Sequence, residues 1–263
     1  MPDVDTKSDL NLIRDAAAEA GRIAMRYFGN KPEVWMKGGT SPVTEADLAV
    51  DRFLKHELLA ARPDYGWISE ETVDDRKLMP RRKFFVVDPI DGTRAFIEGG
   101  DVWCVSIAVI EQGRPLEGVL DCPVRGEIFT AAVGGGANQN GRPLTASVAD
   151  EPFRIGGPKP WLKNLPESFA QRVTPTPYVP SLAYRVAMVA RGDIAGTFIK
   201  PNSHDWDLAA ADLILAEAGG KVLTAQGSVL KYGQGDYRHD SLVAASGSLL
   251  DEMLAVVAEA SFG

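Results

Sequence analysis

The segment FFVVDPIDGT, residues 84–93, is the most informative stretch of this chain. Its apolar first half predicts a buried strand that ends at Asp88 and turns at Pro89. A second aspartate, a glycine and a threonine then follow at the end of the strand, where open α/β sheets place their sites. Carboxylates combined with backbone carbonyls suit hard divalent cations such as Mg²⁺. An ordinary turn is the alternative, because Asp, Pro and Gly are common turn residues.

Two further acidic segments accompany this one. Upstream, GWISEE (66–71) predicts a short strand that ends in two adjacent carboxylates. Downstream, HDWDLAAADLILAEAGG (204–220) predicts a helix with acids at its start and glycine after its end. Each acid alone could be a solvated strand end or could complement a helix dipole. The side chains that we expect to converge on metal ions are Glu70, Asp88, Asp91 and Asp207.

Together these segments resemble the inositol monophosphatase family of lithium-sensitive, magnesium-dependent phosphatases. KGGTSPVTEAD (37–47) belongs to the same pattern, so the resemblance covers nearly the whole chain in the family's order and spacing. Several motifs in series are a stronger signal than any single motif. The resemblance implies a mixed α+β and α/β fold, a layered αβαβα sandwich of the inositol monophosphatase and fructose-1,6-bisphosphatase type. It also implies a homodimer and inhibition by lithium.

The resemblance implies a set of metal ligands for two Mg²⁺ ions, with a third, weaker site. The first ion would be bound by Glu70, Asp88 and the backbone carbonyl of Ile90. The second would be bound by Asp88, Asp91 and Asp207, with Asp88 bridging. A third ion would use Glu70 and water. Two such ions can clamp the attacking and leaving oxygens of a phosphate ester.

The same resemblance implies the catalytic residues. Thr93 would handle the nucleophilic water, Asp47 would accept the hydrogen bond of Thr93, and Glu71 would order metal-bound water. Asp47 has a second interpretation, because Thr44-x-x-Asp47 has the form of a capping box that opens a helix.

The substrate phosphate has two further candidate partners. Gly92 suits a backbone that approaches phosphate closely, and its N–H and that of Thr93 could bind phosphate oxygens. Lys37 could add positive charge near the metals, or it could be a solvated loop lysine.

Specificity is expected from the second half of the chain. Inositol phosphatases commonly have an acidic residue seven positions before the last metal aspartate, where this chain has Lys200. A cation there favours a carboxylate or a second phosphate on the substrate, although a lysine that touches nothing is the alternative. Ser181 and Arg185 lie in SLAYR (181–185), which resembles the substrate-binding segment of 3′(2′),5′-bisphosphate nucleotidases.

Three substrate classes therefore stay open. In order of preference they are a monoester of the inositol-phosphate type, 3′-phosphoadenosine 5′-phosphate and histidinol phosphate. The third is included because residues 88–96 resemble histidinol-phosphate phosphatases. A non-catalytic binding protein on the same fold is a different class of hypothesis. Such a protein would be free to lose its metal ligands, and this chain has lost none.

The composition of the chain is typical of an enzyme that acts on small molecules. The 263 residues are 45% hydrophobic and 24% charged, as in soluble globular enzymes. The net charge of −8 argues against a nucleic-acid polymer as partner. No apolar run is long enough to span a membrane, and residues 1–9 do not resemble a signal peptide. Cys104 and Cys122 make no disulfide framework and should be core residues, so we expect a cytoplasmic location.

We expect two lobes. Residues 1–148 would form an α+β lobe with most metal ligands, and residues 149–263 an α/β lobe with Asp207 and the specificity residues. Apolar periodicity predicts helices at about 8–28, 44–60, 181–190, 205–218 and 249–260. Further strands are predicted at about 102–110, 115–121, 127–132, 194–199, 221–223 and 242–245. The proline-rich stretch 151–180 has no clear pattern.

Overall fold

The computed structural model of the protein describes residues 8–37, 41–72, 82–147 and 150–260. In these ranges the helices are α1 (Asp9–Tyr27), α2 (Glu45–Ala61), α3 (Thr93–Ile97), α4 (Lys159–Lys163), α5 (Glu167–Ala170), α6 (Leu182–Arg191), α7 (Asp205–Glu217) and α8 (Gly247–Ala260).

The strands of the same ranges belong to two large sheets and two ribbons. They are β1 (Val34–Lys37), β2 (Ser41–Thr44), β3 (Gly66–Ser69), β4 (Lys83–Asp91), β5 (Cys104–Glu111), β6 (Arg114–Cys122), β7 (Glu127–Ala132), β8 (Gly136–Gln139), β9 (Arg142–Pro143), β10 (Phe153–Gly156), β11 (Val173–Pro175), β12 (Gly196–Ile199), β13 (Ser203–His204), β14 (Gly220–Thr224), β15 (Arg238–His239) and β16 (Leu242–Ser246).

The larger sheet has the strand order β3-β4-β5-β6-β7-β8-β9, in which β3 and β4 are parallel and the other pairs antiparallel. The second sheet has the order β11-β10-β12-β16-β14, with a parallel half and an antiparallel half. The two ribbons are β1 with β2 and β13 with β15.

Helices and sheets alternate in layers. α1 and α2 pack on one face of the larger sheet, around a core that includes Leu54 and Phe85. α6 and α7 lie between the two sheets, with Leu208 and Ile214 among their buried residues. α8 packs on the second sheet through a third core around Met253. The αβαβα sandwich is therefore confirmed.

The predicted helices and strands are confirmed to within a few residues, and Cys104 and Cys122 are both buried and free. One predicted boundary was wrong, and one stretch was left without predicted elements. The strand predicted to end at Asp88 continues to Asp91, and the stretch 151–180, for which no element was predicted, contains β10, α4, α5 and β11. The lobe boundary predicted near residue 148 falls on two residues, 148 and 149, that lie outside the described ranges.

The end of β4 contains a bulge that explains the first error. Asp88 and Asp91 are both paired with β5, but two residues, Pro89 and Ile90, lie between them, whereas one residue separates their partners. In a regular strand, side chains three positions apart point to opposite faces. The extra residue changes that alternation, as bulges beside active sites commonly do. Proline is tolerated in a bulge because its missing N–H removes no regular ladder hydrogen bond.

α7 approaches the larger sheet closely at Gly118 of β6. A Cβ atom at this position would lie 3.0 Å from both the Cα and the carbonyl oxygen of Ala210 in α7. Since backbone atoms cannot rotate away, only glycine permits this distance between helix and sheet. The close packing matters because α7 also carries Asp207.

Gly118→Ala should therefore destabilise the protein by about 1–3 kcal/mol, since it overpacks the contact between β6 and α7. Urea unfolding of the variant and the parent measures the difference. Val133→Ala, at a side chain that is 61% exposed, is the control and should change stability little. Equal stability of Gly118→Ala and the parent would show that α7 is free to move away from the sheet.

Candidate active site

Three aspartates from distant parts of the chain meet between the larger sheet and α7. Asp88 and Asp91 lie at the end of β4, and Asp207 lies in the first turn of α7. One carboxylate oxygen of each lies within 4.8 Å of an oxygen of each of the others. Asp88 and Asp91 are buried and Asp207 is partly exposed. The sequence prediction that these side chains converge therefore agrees with their positions.

The carboxylate of Asp91 is bound by the start of α6. Its Oδ2 accepts hydrogen bonds from the hydroxyl of Ser181 at 2.5 Å and from the amide of Ala183 at 2.6 Å. Its Oδ1 accepts one from the amide of Leu182 at 3.3 Å. The N-terminus of a helix favours negative charge, so α6 stabilises Asp91 in its ionised form.

Ser181 was predicted to contact substrate, and the geometry favours an indirect role instead. Its side chain is fully buried, its hydroxyl donates to Asp91, and it also accepts a hydrogen bond from the amide of Tyr184 at 3.0 Å. The residue therefore caps α6 and orients the Asp91 carboxylate.

Asp47 and Asp207 are positioned by the same local motif. Each is the third residue of its helix, and its Oδ2 accepts a hydrogen bond at 2.7 Å from the backbone amide of the N-cap residue, Thr44 or His204. This is the reciprocal arm of a capping box. It fixes both carboxylates at helix N-termini that face the site.

The two interpretations of Asp47 are compatible, because its two oxygens have different partners. Oδ2 accepts hydrogen bonds from the amide and the hydroxyl of Thr44, at 2.7 and 2.6 Å. Oδ1 lies 3.4 Å from the hydroxyl of Thr93. That hydroxyl also lies 3.1 Å from the carbonyl oxygen of Ile90. One carboxylate thus caps α2 and contacts the proposed catalytic threonine.

Glu70 and Glu71 follow directly after β3, beside the aspartates. Glu70 lines the same cavity as Asp88 and Asp207, and the side chain of Glu71 is only 6% exposed. Lys37, at the end of β1, donates to the carbonyl oxygen of Glu70 and lies 3.4 Å from Oε2 of Glu71. Lys37 therefore lies at the rim of the site and contacts both glutamates.

A small cavity of about 190 Å³ brings most of the predicted site residues together. Asp47 and Glu71 are not among its lining residues, and Lys37 lines an adjacent groove together with Glu70 and Asp207. The predicted site residues that line the small cavity are Glu70, Asp88, Ile90, Asp91, Gly92, Thr93 and Asp207.

Burial and mutual repulsion make the clustered carboxyl groups hard to ionise in the absence of a cation. Burial raises the pKa of Glu70 to about 8, and the charges of Asp207 and Glu71 add to the effect. Burial, with the charge of Asp207, raises the pKa of Asp91 to about 7. Burial and the charge of Glu70 raise the pKa of Asp88 well above its usual range. Such shifts are typical of functional sites.

The donor set fits Mg²⁺. Hard cations prefer carboxylate and carbonyl oxygens, and Mg²⁺ commonly uses few carboxylates and completes its coordination with water and phosphate. Asp88, Asp91 and Asp207 offer oxygens close enough to share one ion or two. A divalent cation would also offset the repulsion that raises their pKa values.

Asp88, Asp91 and Asp207, which could hold a metal ion, are called the metal-binding cluster below. A larger cavity of about 680 Å³ opens beside this cluster, and Asp91 and Asp207 line it. Arg185 and Lys200, two of the predicted substrate residues, line this cavity. Its volume is in the range of pockets that bind metabolite-sized ligands. The arrangement places a phosphate-sized site next to a space large enough for the rest of a substrate.

Sequence reasoning missed Asp51, which positions the glutamate segment. Asp51 is buried and accepts hydrogen bonds from the hydroxyls of Ser69, at 2.5 Å, and Thr72. These residues flank Glu70 and Glu71. One signal was present in the sequence: Asp51 follows Asp47 by one helical turn, so both lie on the same face of α2.

Sequence reasoning also missed part of the larger cavity. Lys159, Tyr178 and Ser203 line it. Lys159 and Tyr178 belong to the weakly patterned stretch 151–180, where no local motif marked them. Ser203 lies in the two-residue strand β13, which is too short to be recognised from periodicity.

A family model described as the inositol monophosphatase family matches residues 5–261 of the chain. The chain belongs to this family. Among curated relatives, the inositol-1-monophosphatase of Mesorhizobium japonicum is 34% identical over 83% of this chain and 86% of its own length. A histidinol-phosphatase of Mycobacterium tuberculosis is 32% identical over 92% of this chain and 94% of its own length. The Nus factor SuhB of Xylella fastidiosa is 30% identical over 84% of each chain.

Two solved structures show the same fold. The extragenic suppressor protein SuhB of Bartonella henselae superposes with a TM-score of 0.84, at 28% identity over 95% of this chain and 98% of that one. The IMPase of Thermotoga maritima superposes with a TM-score of 0.85, at 25% identity over 96% of this chain and 98% of that one. Family membership makes this chain a phosphoric monoester hydrolase.

In the described residues, no helix has the length and apolar composition needed to cross a bilayer.

The raised pKa values predict how Mg²⁺ affects thermal stability at different pH. Glu70 and Asp91 have folded-state pKa values of about 8 and 7, above the usual carboxyl values near 4 to 4.5. Between these folded-state and usual pKa values, the folded protein without metal binds more protons than the unfolded chain. The two groups therefore lower the stability of the fold as pH rises from about 4 towards 8. Mg²⁺ removes this penalty, and the gain in Tm from Mg²⁺ should therefore be larger at pH 8 than at pH 5.5.

Calorimetry in EDTA and in saturating Mg²⁺ at the two pH values measures this difference. In Asp91→Asn, the fall of Tm between pH 5.5 and pH 8 in EDTA should be smaller, because one of the repelling charges is absent. A Mg²⁺ gain that does not change with pH would contradict the prediction.

Proposed function

We propose that the protein is a Mg²⁺-dependent phosphatase that hydrolyses a small phosphate monoester of the inositol-monophosphate type, by attack of an activated water. One observation carries this proposal. Asp88, Asp91 and Asp207 offer oxygens within 4.8 Å of one another, in a cavity that Thr93 also lines. Such a cluster suits divalent cations, and a neighbouring hydroxyl can position a nucleophile.

The proposed metal ligands are those given by the family resemblance. Glu70, Asp88 and the carbonyl of Ile90 would bind one Mg²⁺ ion, and Asp88, Asp91 and Asp207 a second. A third, weaker site would use Glu70 and water. Mg²⁺ held by these residues would neutralise the phosphoryl oxygens and stabilise the charge that develops on the leaving oxygen.

Thr93 and Asp47 are the proposed proton-transfer pair. The hydroxyl of Thr93 accepts a proton from the attacking water while its own proton passes to Oδ1 of Asp47, 3.4 Å away. Burial raises the pKa of Asp47, which makes its carboxylate a stronger base. The capping hydrogen bonds from Thr44 to Oδ2 keep the carboxylate oriented. Glu71, beside Lys37, orders water at the metal site.

Gly92 is proposed to bind the phosphate through its backbone N–H, together with the N–H of Thr93. Its φ of +98° is a left-handed conformation that glycine adopts readily. A Cβ atom here would lie 3.1 Å from the carbonyl oxygen of Val102 and 3.2 Å from Cβ of Trp103. A side chain at position 92 would therefore displace the turn that connects Asp91 to Thr93.

Two alternatives follow from the relatives. The relative from M. tuberculosis is named a histidinol-phosphatase, so histidinol phosphate is a second candidate substrate, beside 3′-phosphoadenosine 5′-phosphate. The relative from X. fastidiosa is named a Nus factor, and a binding role would be a different class of function. The presence of every proposed metal ligand and of Thr93 favours catalysis.

Three further properties are proposed from the family resemblance. The enzyme would act as a homodimer, it would be inhibited by lithium at the metal sites, and it would be located in the cytoplasm. The free state of Cys104 and Cys122 agrees with a reducing compartment.

The deciding experiment is phosphate release in the presence of Mg²⁺ from inositol 1-phosphate, 3′-phosphoadenosine 5′-phosphate and histidinol phosphate, compared as kcat/KM. We expect Mg²⁺-dependent hydrolysis of at least one of the three esters, and EDTA should abolish it. Asp91→Asn should lose most of the activity and keep the fold, because it removes a metal ligand without changing volume. If none of the three substrates releases phosphate although Mg²⁺ is bound, the binding-protein hypothesis is favoured.

Thr93→Val tests the proton-transfer pair. The substitution keeps the shape of the side chain and removes the hydroxyl, so kcat should fall by about 10²–10⁴ while KM and Tm change little. Steady-state kinetics at saturating Mg²⁺ measures both constants. Thr174→Val, at an exposed position of β11, is the matched control. If the kcat of Thr93→Val stays within about threefold of the parent, the hydroxyl has no chemical role.

A further inference from the structure

The larger cavity has an unusual distribution of charge. Its two acidic lining residues, Asp91 and Asp207, belong to the metal-binding cluster and also line the small cavity. The residues that line only the larger cavity include three cations, Lys159, Arg185 and Lys200, and no carboxylate. The part of the cavity outside the metal-binding cluster is therefore positively charged, although the chain as a whole has a net charge of −8.

Arg185 lies on α6, one turn after Ser181, and its guanidinium group is incompletely satisfied. Its Nε atom is buried and has no hydrogen-bond partner among the residues that the structure describes. The carboxylate of Asp91 acts on its charge, and the oxygens of that carboxylate accept hydrogen bonds from Ser181 and from α6 amides. A guanidinium group with an unsatisfied donor is unfavourable, so further negative charge beside Arg185 would stabilise it.

Ser203 gives a second, independent observation on the same cavity. Its side chain is 6% exposed, and within the described chain its hydroxyl is buried without a hydrogen-bond partner. Buried hydroxyl groups are usually hydrogen-bonded, and exceptions call for an explanation. Ser203 and Arg185 both line the larger cavity, so two of its lining residues have a buried polar atom that lacks a partner in the described chain.

Lys159 and Lys200 add mobile positive charge to this pair. Both side chains are exposed, and both line the larger cavity. Lysine acts as a flexible point charge, whereas arginine presents a rigid set of donors that matches carboxylate and phosphate oxygens. A partly buried arginine and a buried serine, with two lysines at the surface, form a set of groups suited to an oxyanion.

We propose that the larger cavity contains a second anion-binding site, formed by Arg185, Ser203, Lys200 and Lys159, which recognises a carboxylate or phosphate group on the part of the substrate that leaves. This inference rests on the proposed phosphatase function, and it predicts that among small monoesters the enzyme prefers those that carry another anionic group. The phosphoryl group to be cleaved lies at the metal-binding cluster, and the second anion lies in the cationic part of the cavity. A neutral polyol would bring no negative charge to Arg185, Lys200 and Lys159.

Two pairs of substrates test the proposal and distinguish the two kinds of anion. Adenosine 3′,5′-bisphosphate and adenosine 3′-monophosphate differ only in the 5′-phosphate. 3-Phosphoglycerate and glycerol 3-phosphate differ in a carboxylate in place of a hydroxymethyl group. We expect the partner with the second anionic group, in at least one pair, to have a kcat/KM roughly 10- to 100-fold higher, as charged hydrogen bonds provide.

Variants show whether the proposed residues cause the preference. Arg185→Gln and Lys200→Gln should reduce the ratio of kcat/KM values within the preferred pair by roughly tenfold or more, and Ser203→Ala should reduce it by less. Arg154→Gln and Lys163→Gln, at exposed residues that do not line the cavity, are the matched controls and should keep the ratio. Lys200 is exposed, so its variant remains informative if Arg185→Gln does not fold.

The outcomes separate this inference from the proposed function. Ratios near one for both pairs, or a preference that Arg185→Gln and Lys200→Gln leave unchanged, would overturn the second site while the phosphatase remains. If no ester is hydrolysed, the proposed function fails, and calorimetric titration with adenosine 5′-monophosphate and adenosine tests the site directly. Tighter binding of the nucleotide that is lost in Lys200→Gln then supports the anion site, and equal binding of both ligands rejects it.

Discussion

The repulsion among buried carboxylates is the constraint on which the rest of this structure depends. Asp88, Asp91 and Asp207 are close enough that their charges raise one another's cost of ionisation, in a region where burial already disfavours charge. Such a cluster is unfavourable unless a ligand offsets the free energy of ionising the carboxyl groups, and a bound divalent cation offsets it directly. The bulge in β4, the caps of α2 and α7 and the start of α6 all position members of this cluster or residues beside it.

Positioning is achieved by short-range hydrogen bonds rather than by salt bridges. Asp207 and Asp47 are oriented by capping boxes, and Asp91 by the hydroxyl of Ser181 and the first amides of α6. Partners of this kind are neutral, so they orient a carboxylate without cancelling its charge. Arginine or lysine in the same places would have competed with the metal ion. The aspartates are therefore held in place by neutral partners, which leaves their charge to be balanced by a bound cation.

Local patterns predicted most helices and strands, and the resemblance to the inositol monophosphatase family implied the layered sandwich and the set of metal ligands. The apolar run before Asp88 and the acidic start of α7 can be recognised in short windows of sequence. The bulge was not predicted, because a register shift depends on how β4 pairs with β5. Nor were the contacts of Asp51 with Ser69 and of Ser181 with Asp91, since each joins segments that are far apart in the chain and meet only in the folded state.

The binding of Asp91 by α6 has a consequence for thermodynamic coupling. The same short helix donates to a proposed metal ligand at its first turn and carries Arg185 one turn later. A movement of α6 that alters the coordination geometry at Asp91 also alters the wall of the larger cavity. Occupancy of the two regions is then linked through one rigid element, and linkage of this kind is reciprocal. Metal ions and the organic part of the substrate would each change the affinity for the other by the same factor, without touching.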